Sequence, residues 1–156
     1  MGERSIYRPA KFEKMIDKLL EQKIFETKQA VMMFAAAVGW YCIGKREPRG
    51  KAEHGIRWEI FERNNDDVFI HALALAESKS IEILGRDRQE EDDDPIKVFE
   101  EYAAAGLQYI QEKCVDAPGD MLDNFLSLIA EINTNTAEAS PGLEGLTPEA
   151  LDFLAG

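Results

Sequence analysis

Residues 26–44 read ETKQAVMMFAAAVGWYCIG and are apolar almost without a break over positions 30–43. A surface helix keeps one polar face, so a helix that is apolar all round belongs inside a fold. The run is about 14 residues long, against the roughly 20 that a bilayer span needs. It therefore reads as a buried central helix and not as a membrane segment. Thr27 offers an N-cap and Gly44 a C-terminal stop. Ala35, Ala36, Ala37 and Gly39 leave room for neighbouring helices to approach closely.

Other helical periods surround this run. Phe12, Met15, Ile16, Leu19 and Leu20 fall on one face and predict a helix over 10–22. Residues 56–62, IRWEIFE, fit both a strand period and a helical turn. A lone strand has no backbone partner, which favours a short extended or turn segment packing Trp58 inward. Residues 64–67, NNDD, are a turn and helix start, followed by an apolar helix over 68–78. Residues 80–84 read as a short helix or turn, and 85–94 as a charged loop. That loop lacks the glycine a calcium-binding loop requires.

Asp94 and Pro95 open a further helix, with Ile96, Phe99, Ala103, Gly106, Ile110 and Cys114 along one stripe. Glycine in mid-helix costs about 1 kcal/mol against alanine, so a close helix contact is expected at Gly106. A helix over 120–132 follows. Residues 133–145, NTNTAEASPGLEG, have linker composition, and TPE at 147–149 starts a last short helix. The expected fold is all-α. It is a single helical domain of five or six helices over 1–133, with 134–156 as a flexible linker and short C-terminal docking helix.

The 156 residues carry a formal net charge of −12, unevenly placed. Residues 1–58 hold 12 Lys/Arg against 7 Asp/Glu, and residues 59–156 hold 6 against 23. An acidic protein repels nucleic acid on average, yet a local basic patch acts at short range because salt screens distant charges. The patch is the loop after the central helix, with Lys45, Arg46, Arg49, Lys51, His54 and Arg57. Guanidinium forks suit phosphate or carboxylate oxygens, and the alternative is a solvated loop balancing the acidic half. At the other end Leu151, Phe153 and Leu154 suit a helix that docks on a partner or folds back on this chain.

Little points to catalysis. No Gly-Lys-Ser/Thr phosphate loop or Gly-x-Ser-x-Gly elbow occurs. His71 sits among apolar neighbours as a core or interface histidine, and Arg57 with Glu59 reads as a surface ion pair. Cys42 and Cys114 fall within helices as reduced, buried thiols. No His or Cys stands at metal-ligand spacing, and Asp92, Asp93 and Asp94 are explained by a helix start. No cofactor, no metal and no enzymatic activity are expected, and without an apolar leader the expected location is cytoplasmic.

Several segments together resemble a known family. FAAAVGWYCIGKRE at 34–47, IRWEIF at 56–61, IHALALAES at 70–78, EILGRDRQEED at 82–92 and IKVFEEYAAAGLQYIQEK at 96–113 are similar to the small proteins associated with Dnd systems of bacterial DNA phosphorothioation. The likeness runs from about residue 9 to 132. It implies a setting in anti-phage modification and restriction, with the other proteins of such a system as partners. It implies no active site. The expected function is a non-enzymatic accessory protein that binds partner proteins, with the basic loop facing DNA phosphate or an acidic partner. A second copy of the chain is a further candidate partner. The alternative is an acidic regulator or DNA mimic that occupies a partner's DNA-binding channel, and an undetected nucleic-acid enzyme is the third reading.

Overall fold

A computed structural model describes residues 4–52, 54–79 and 94–139, with side chains up to residue 134. The described residues are all-α, with six α-helices and a two-stranded ribbon. They divide into two units, Met1–Ala117 and Pro118–Gly156.

The core of the first unit is a helix pair. Helix α2, Lys28–Val38, is the apolar run of the sequence. Thr27 caps it, its hydroxyl oxygen accepting from Ala30 N at 3.1 Å. Met32 and Val38 are buried, while Phe34 is half-buried with its ring 5.4 Å from that of Phe25. After Val38 the coil widens into a π turn over Gly39–Ile43, and Gly44, with φ of +72°, ends it. That φ is left-handed backbone, which glycine adopts without a steric penalty. Helix α5, Pro95–Ile110, is equally central, with buried residues on all its faces, and it too ends in a π turn, Gln111–Val115.

The two helices cross where both are stripped of side chains. A Cβ on Gly106 would lie 2.5 Å from Ala35 C and 2.9 Å from Gly39 N. A Cβ on Gly39 would lie 2.9 Å from Tyr102 C and 3.0 Å from Gly106 N. Each glycine thus makes room for the other helix's backbone. Helix α1, Glu13–Glu21, packs on α2 and buries Met15, Ile16 and Leu19. Helix α3, Trp58–Arg63, and helix α4, Asp67–Ser78, follow. Helix α4 packs on α5. Trp58 is buried, stacking on Phe61 and meeting the half-buried His71 edge to face at 5.7 Å.

One sequence expectation is corrected by a backbone partner. Strand β1, Ser5–Ile6, pairs antiparallel with strand β2, Ile56–Arg57, Ser5 opposite Arg57. Trp58 N donates to Arg4 O at 2.9 Å, Ala10 N to Lys51 O at 2.8 Å, and Pro9 bridges Ala52. The segment 56–57 is therefore a strand, because the extended N-terminal residues satisfy its backbone groups.

In the second unit helix α6, Met121–Ala139, begins at Asp120, whose carboxylate accepts from Asp123 N at 3.1 Å. It continues beyond Ile132, where the sequence reading ended it. Thr134 is accommodated by donating its hydroxyl to Ala130 O at 2.9 Å, the back-bonding that lets threonine sit inside a helix. Among the described residues no helix is long and apolar enough to cross a membrane. Residues 80–84 and 85–93 lie outside the described residues.

Candidate functional site

The apolar run is not buried to its end, since Trp40, Tyr41 and Ile43 are exposed, and after Gly44 the basic loop begins at once. It is fastened on two sides. Glu47 N donates to Glu101 O at 3.1 Å on α5, and the N-terminal segment holds its far end through Ala10 N and Lys51 O.

The loop's cations divide into two sets. Arg46 Nε stands 3.5 Å from Glu77 Oε1 and 3.6 Å from Glu101 Oε1, tying the loop to α4 and α5. Glu77 also accepts from the Tyr102 hydroxyl at 2.5 Å. Burial, with that hydrogen bond, pushes the Tyr102 phenol up to about 12. Arg49 Nη1 lies 3.8 Å from Glu100 Oε2, with its guanidinium 5.4 Å from the centre of the Tyr7 ring. Arg57 donates to Glu59 Oε1 at 3.3 Å in the open, the expected surface pair. All three arginines therefore face carboxylates of their own chain. Lys45, Lys51 and His54 are exposed. Five of the six residues stand in one loop and Arg57 on β2, and Lys45 and Lys51 are the exposed lysines of that loop.

Beside the loop lies a cleft of about 460 Å³ that sequence reasoning missed. Arg4, Tyr7, Arg49, Asp94, Lys97 and Glu100 line it. Asp94 is 1% exposed and does two jobs. It accepts from Ile96 N at 3.4 Å as the cap of α5, and it takes a two-pronged pair from Arg4 at 2.9 and 2.5 Å. Two parallel N–H···O bonds make this the strong form of ion pair.

Glu100 is 8% exposed and accepts from Tyr7 N at 2.6 Å. Burial pushes its carboxyl up to about 7, against the opposing pull of the Tyr7 amide, Arg49 and Arg4. One signal could have found it. Glu100 stands four residues after Ile96 and three before Ala103, inside the apolar stripe of α5. A carboxylate at a core position must be partnered or neutral.

Both cysteines are reduced thiols, Cys114 buried as expected and Cys42, contrary to expectation, only half-buried. Burial raises the Cys114 thiol to about 11, which suppresses its reactive thiolate. A thiol reagent at pH 8 is expected to modify Cys42 and spare Cys114 until denaturant is added. Equal labelling rates in the native protein would contradict that burial. Among the described residues no group of three or more His, Cys, Asp or Glu is placed to hold a metal ion. Asp92 and Asp93, and the predicted docking residues Leu151, Phe153 and Leu154, lie outside the described residues.

No curated protein and no solved structure matches the chain. Over residues 5–144 it matches the family described as DNA sulphur modification system-associated protein 4, and the chain belongs to that family.

Proposed function

We propose that the protein is a non-enzymatic accessory component of its DNA sulphur modification system. It binds other proteins of that system, and the 45–57 loop is one contact surface. One observation carries the reading. The loop is stitched to α5 and to the N-terminal segment at Ala10, and the arginines at 46, 49 and 57 face Glu77, Glu100, Glu101 and Glu59, while Lys45, Lys51 and His54 stay exposed. A surface already ordered loses less freedom when a partner docks.

The charge mixture favours a protein partner over a DNA backbone. Phosphate binding draws on a run of uncompensated cations. Here exposed lysines alternate with Glu47 and Glu59, in a chain of net charge −12.

The test titrates the full-length protein against each purified protein of the same modification system, with duplex DNA in parallel. Lys45→Glu with Lys51→Glu is expected to weaken one of those complexes at least tenfold, about 1.4 kcal/mol, with far-UV circular dichroism unchanged. Duplex DNA is expected to show no binding in about 0.15 M salt. Complexes indifferent to the double substitution would remove the loop from the interface. Salt-sensitive DNA binding abolished by the same change would replace the protein partner with phosphate.

A further inference from the structure

Helix α6 carries a second surface with a different chemistry. Leu122, Leu126 and Ile129 are 49%, 54% and 39% exposed. They stand at i, i+4 and i+7, so one line of the helix presents three large apolar side chains to solvent. That spacing is how an amphipathic helix is read by a helical or grooved partner. Three such residues in a row are more than the scattered apolar exposure of an ordinary surface.

The charge around the stripe narrows what can cover it. No lysine or arginine follows Lys113, whereas eight Asp or Glu do. Asp123 stands on the helix edge beside the stripe, and Asp116, Asp120 and Glu131 are exposed nearby in sequence. A second copy joined through this face would set acidic surface against acidic surface. The chain's own residues 140–156 carry Glu144, Glu149 and Asp152 and no cation, so they meet the same repulsion. DNA and anionic lipid are excluded by sign.

We propose that the Leu122–Leu126–Ile129 face of α6 docks a basic amphipathic helix of a partner protein. Apolar residues of that helix cover the stripe, and lysines or arginines along its edges meet Asp123 and the neighbouring carboxylates. This goes beyond the loop reading above and does not depend on it, since the two surfaces share no residue and want opposite charges.

The test uses the full-length protein and a fluorescein-labelled synthetic helix with leucines at i, i+4 and i+7 flanked by lysines. Two further peptides serve as controls, one with its lysines replaced by glutamate and one of identical composition with the leucines scrambled. Fluorescence anisotropy is expected to show binding of the first at least tenfold tighter than either control. Leu126→Ser and Asp123→Lys, each checked by circular dichroism for an intact fold, are expected to weaken it at least tenfold and severalfold respectively. Ser127→Ala, on the exposed surface of the same helix, is expected to change nothing.

Equal binding of the scrambled peptide would reduce the effect to bulk charge and overturn the proposal. Indifference to Leu126→Ser would do the same. A wild-type dimer in sedimentation that Leu126→Ser dissociates would assign the face to a second copy.

Discussion

Replacing Gly106 by alanine is expected to destabilise the fold by roughly 3 kcal/mol or more, although alanine is the better helix former by about 1 kcal/mol. The opposed signs make the experiment decisive. An isolated α5 would gain from the substitution. In the folded chain the new methyl has nowhere to go, because it would lie 2.5 Å from Ala35 C and 2.9 Å from Gly39 N. Those atoms are backbone of α2, so relief requires the two helices to part and every side chain along the crossing to repack.

Gly39→Ala is expected to cost a similar amount for the same reason, its methyl meeting Tyr102 C at 2.9 Å. The double substitution is expected to cost less than the two single losses together, because one separation of the helices relieves both clashes. Urea unfolding followed by circular dichroism measures all three. Ala130→Gly, on the exposed surface of α6, supplies a scale of about 1 kcal/mol for helix propensity alone. A Gly106→Ala protein as stable as the parent would mean that the helices do not meet backbone to backbone.

This crossing was half legible in the sequence. An apolar run with Ala35, Ala36, Ala37 and Gly39 announces a buried helix, and a mid-helix glycine at 106 announces a close approach. That the two features meet each other is tertiary information, and no period carries it. The equal centrality of α5 was obscured by Glu100, Glu101 and Lys97, which make the helix look amphipathic. The β1–β2 ribbon was missed because its halves lie about 50 residues apart and each is two residues long. Only long-range pairing makes either a strand. The family resemblance, in contrast, sits in contiguous segments and agrees with the match over residues 5–144 to a family associated with DNA sulphur modification.

The basic loop shows why charge counting misleads locally. The sequence places Arg46, Arg49 and Arg57 together, and their common sign suggests a uniform anion-binding patch. Their partners Glu77, Glu100 and Glu101 come from α4 and α5, about 30 to 55 residues further along. Only Glu59 is near in sequence. The arginines largely fasten the loop to the helices, which frees the two lysines and His54 to define its outer face.

Glu100→Gln is expected to stabilise the protein at pH 8 by up to about 3 kcal/mol and to have almost no effect near pH 4. In the folded chain burial raises the carboxyl from its ordinary value of 4.5 to about 7. Between those two values the folded state keeps a proton that the unfolded chain has released. The folded state then binds more protons, so stability falls as pH rises through that window, and the full penalty is present above about pH 7. Glutamine carries no charge to desolvate and keeps an oxygen to accept from Tyr7 N.

The attraction of Arg49, 3.8 Å away, is already contained in that value of about 7, so it limits the gain without a separate deduction. The charges of Arg4 and Asp94 act on Glu100 with opposite signs and stay in place in both proteins. Glu13 titrates the other way. Its hydrogen bond from Arg8 lowers its pKa, so its contribution is present above 4.5 and fades as pH falls. That fading is common to both proteins and cancels in the difference. Urea unfolding of the two proteins at intervals from pH 4 to 9 is therefore expected to give curves that coincide in acid, diverge above pH 5 and run parallel above pH 8. A difference constant across the range would show that Glu100 does not change its protonation on folding. A difference that shrinks as pH rises would show that the buried carboxylate is stabilised by Arg49 more than burial opposes it.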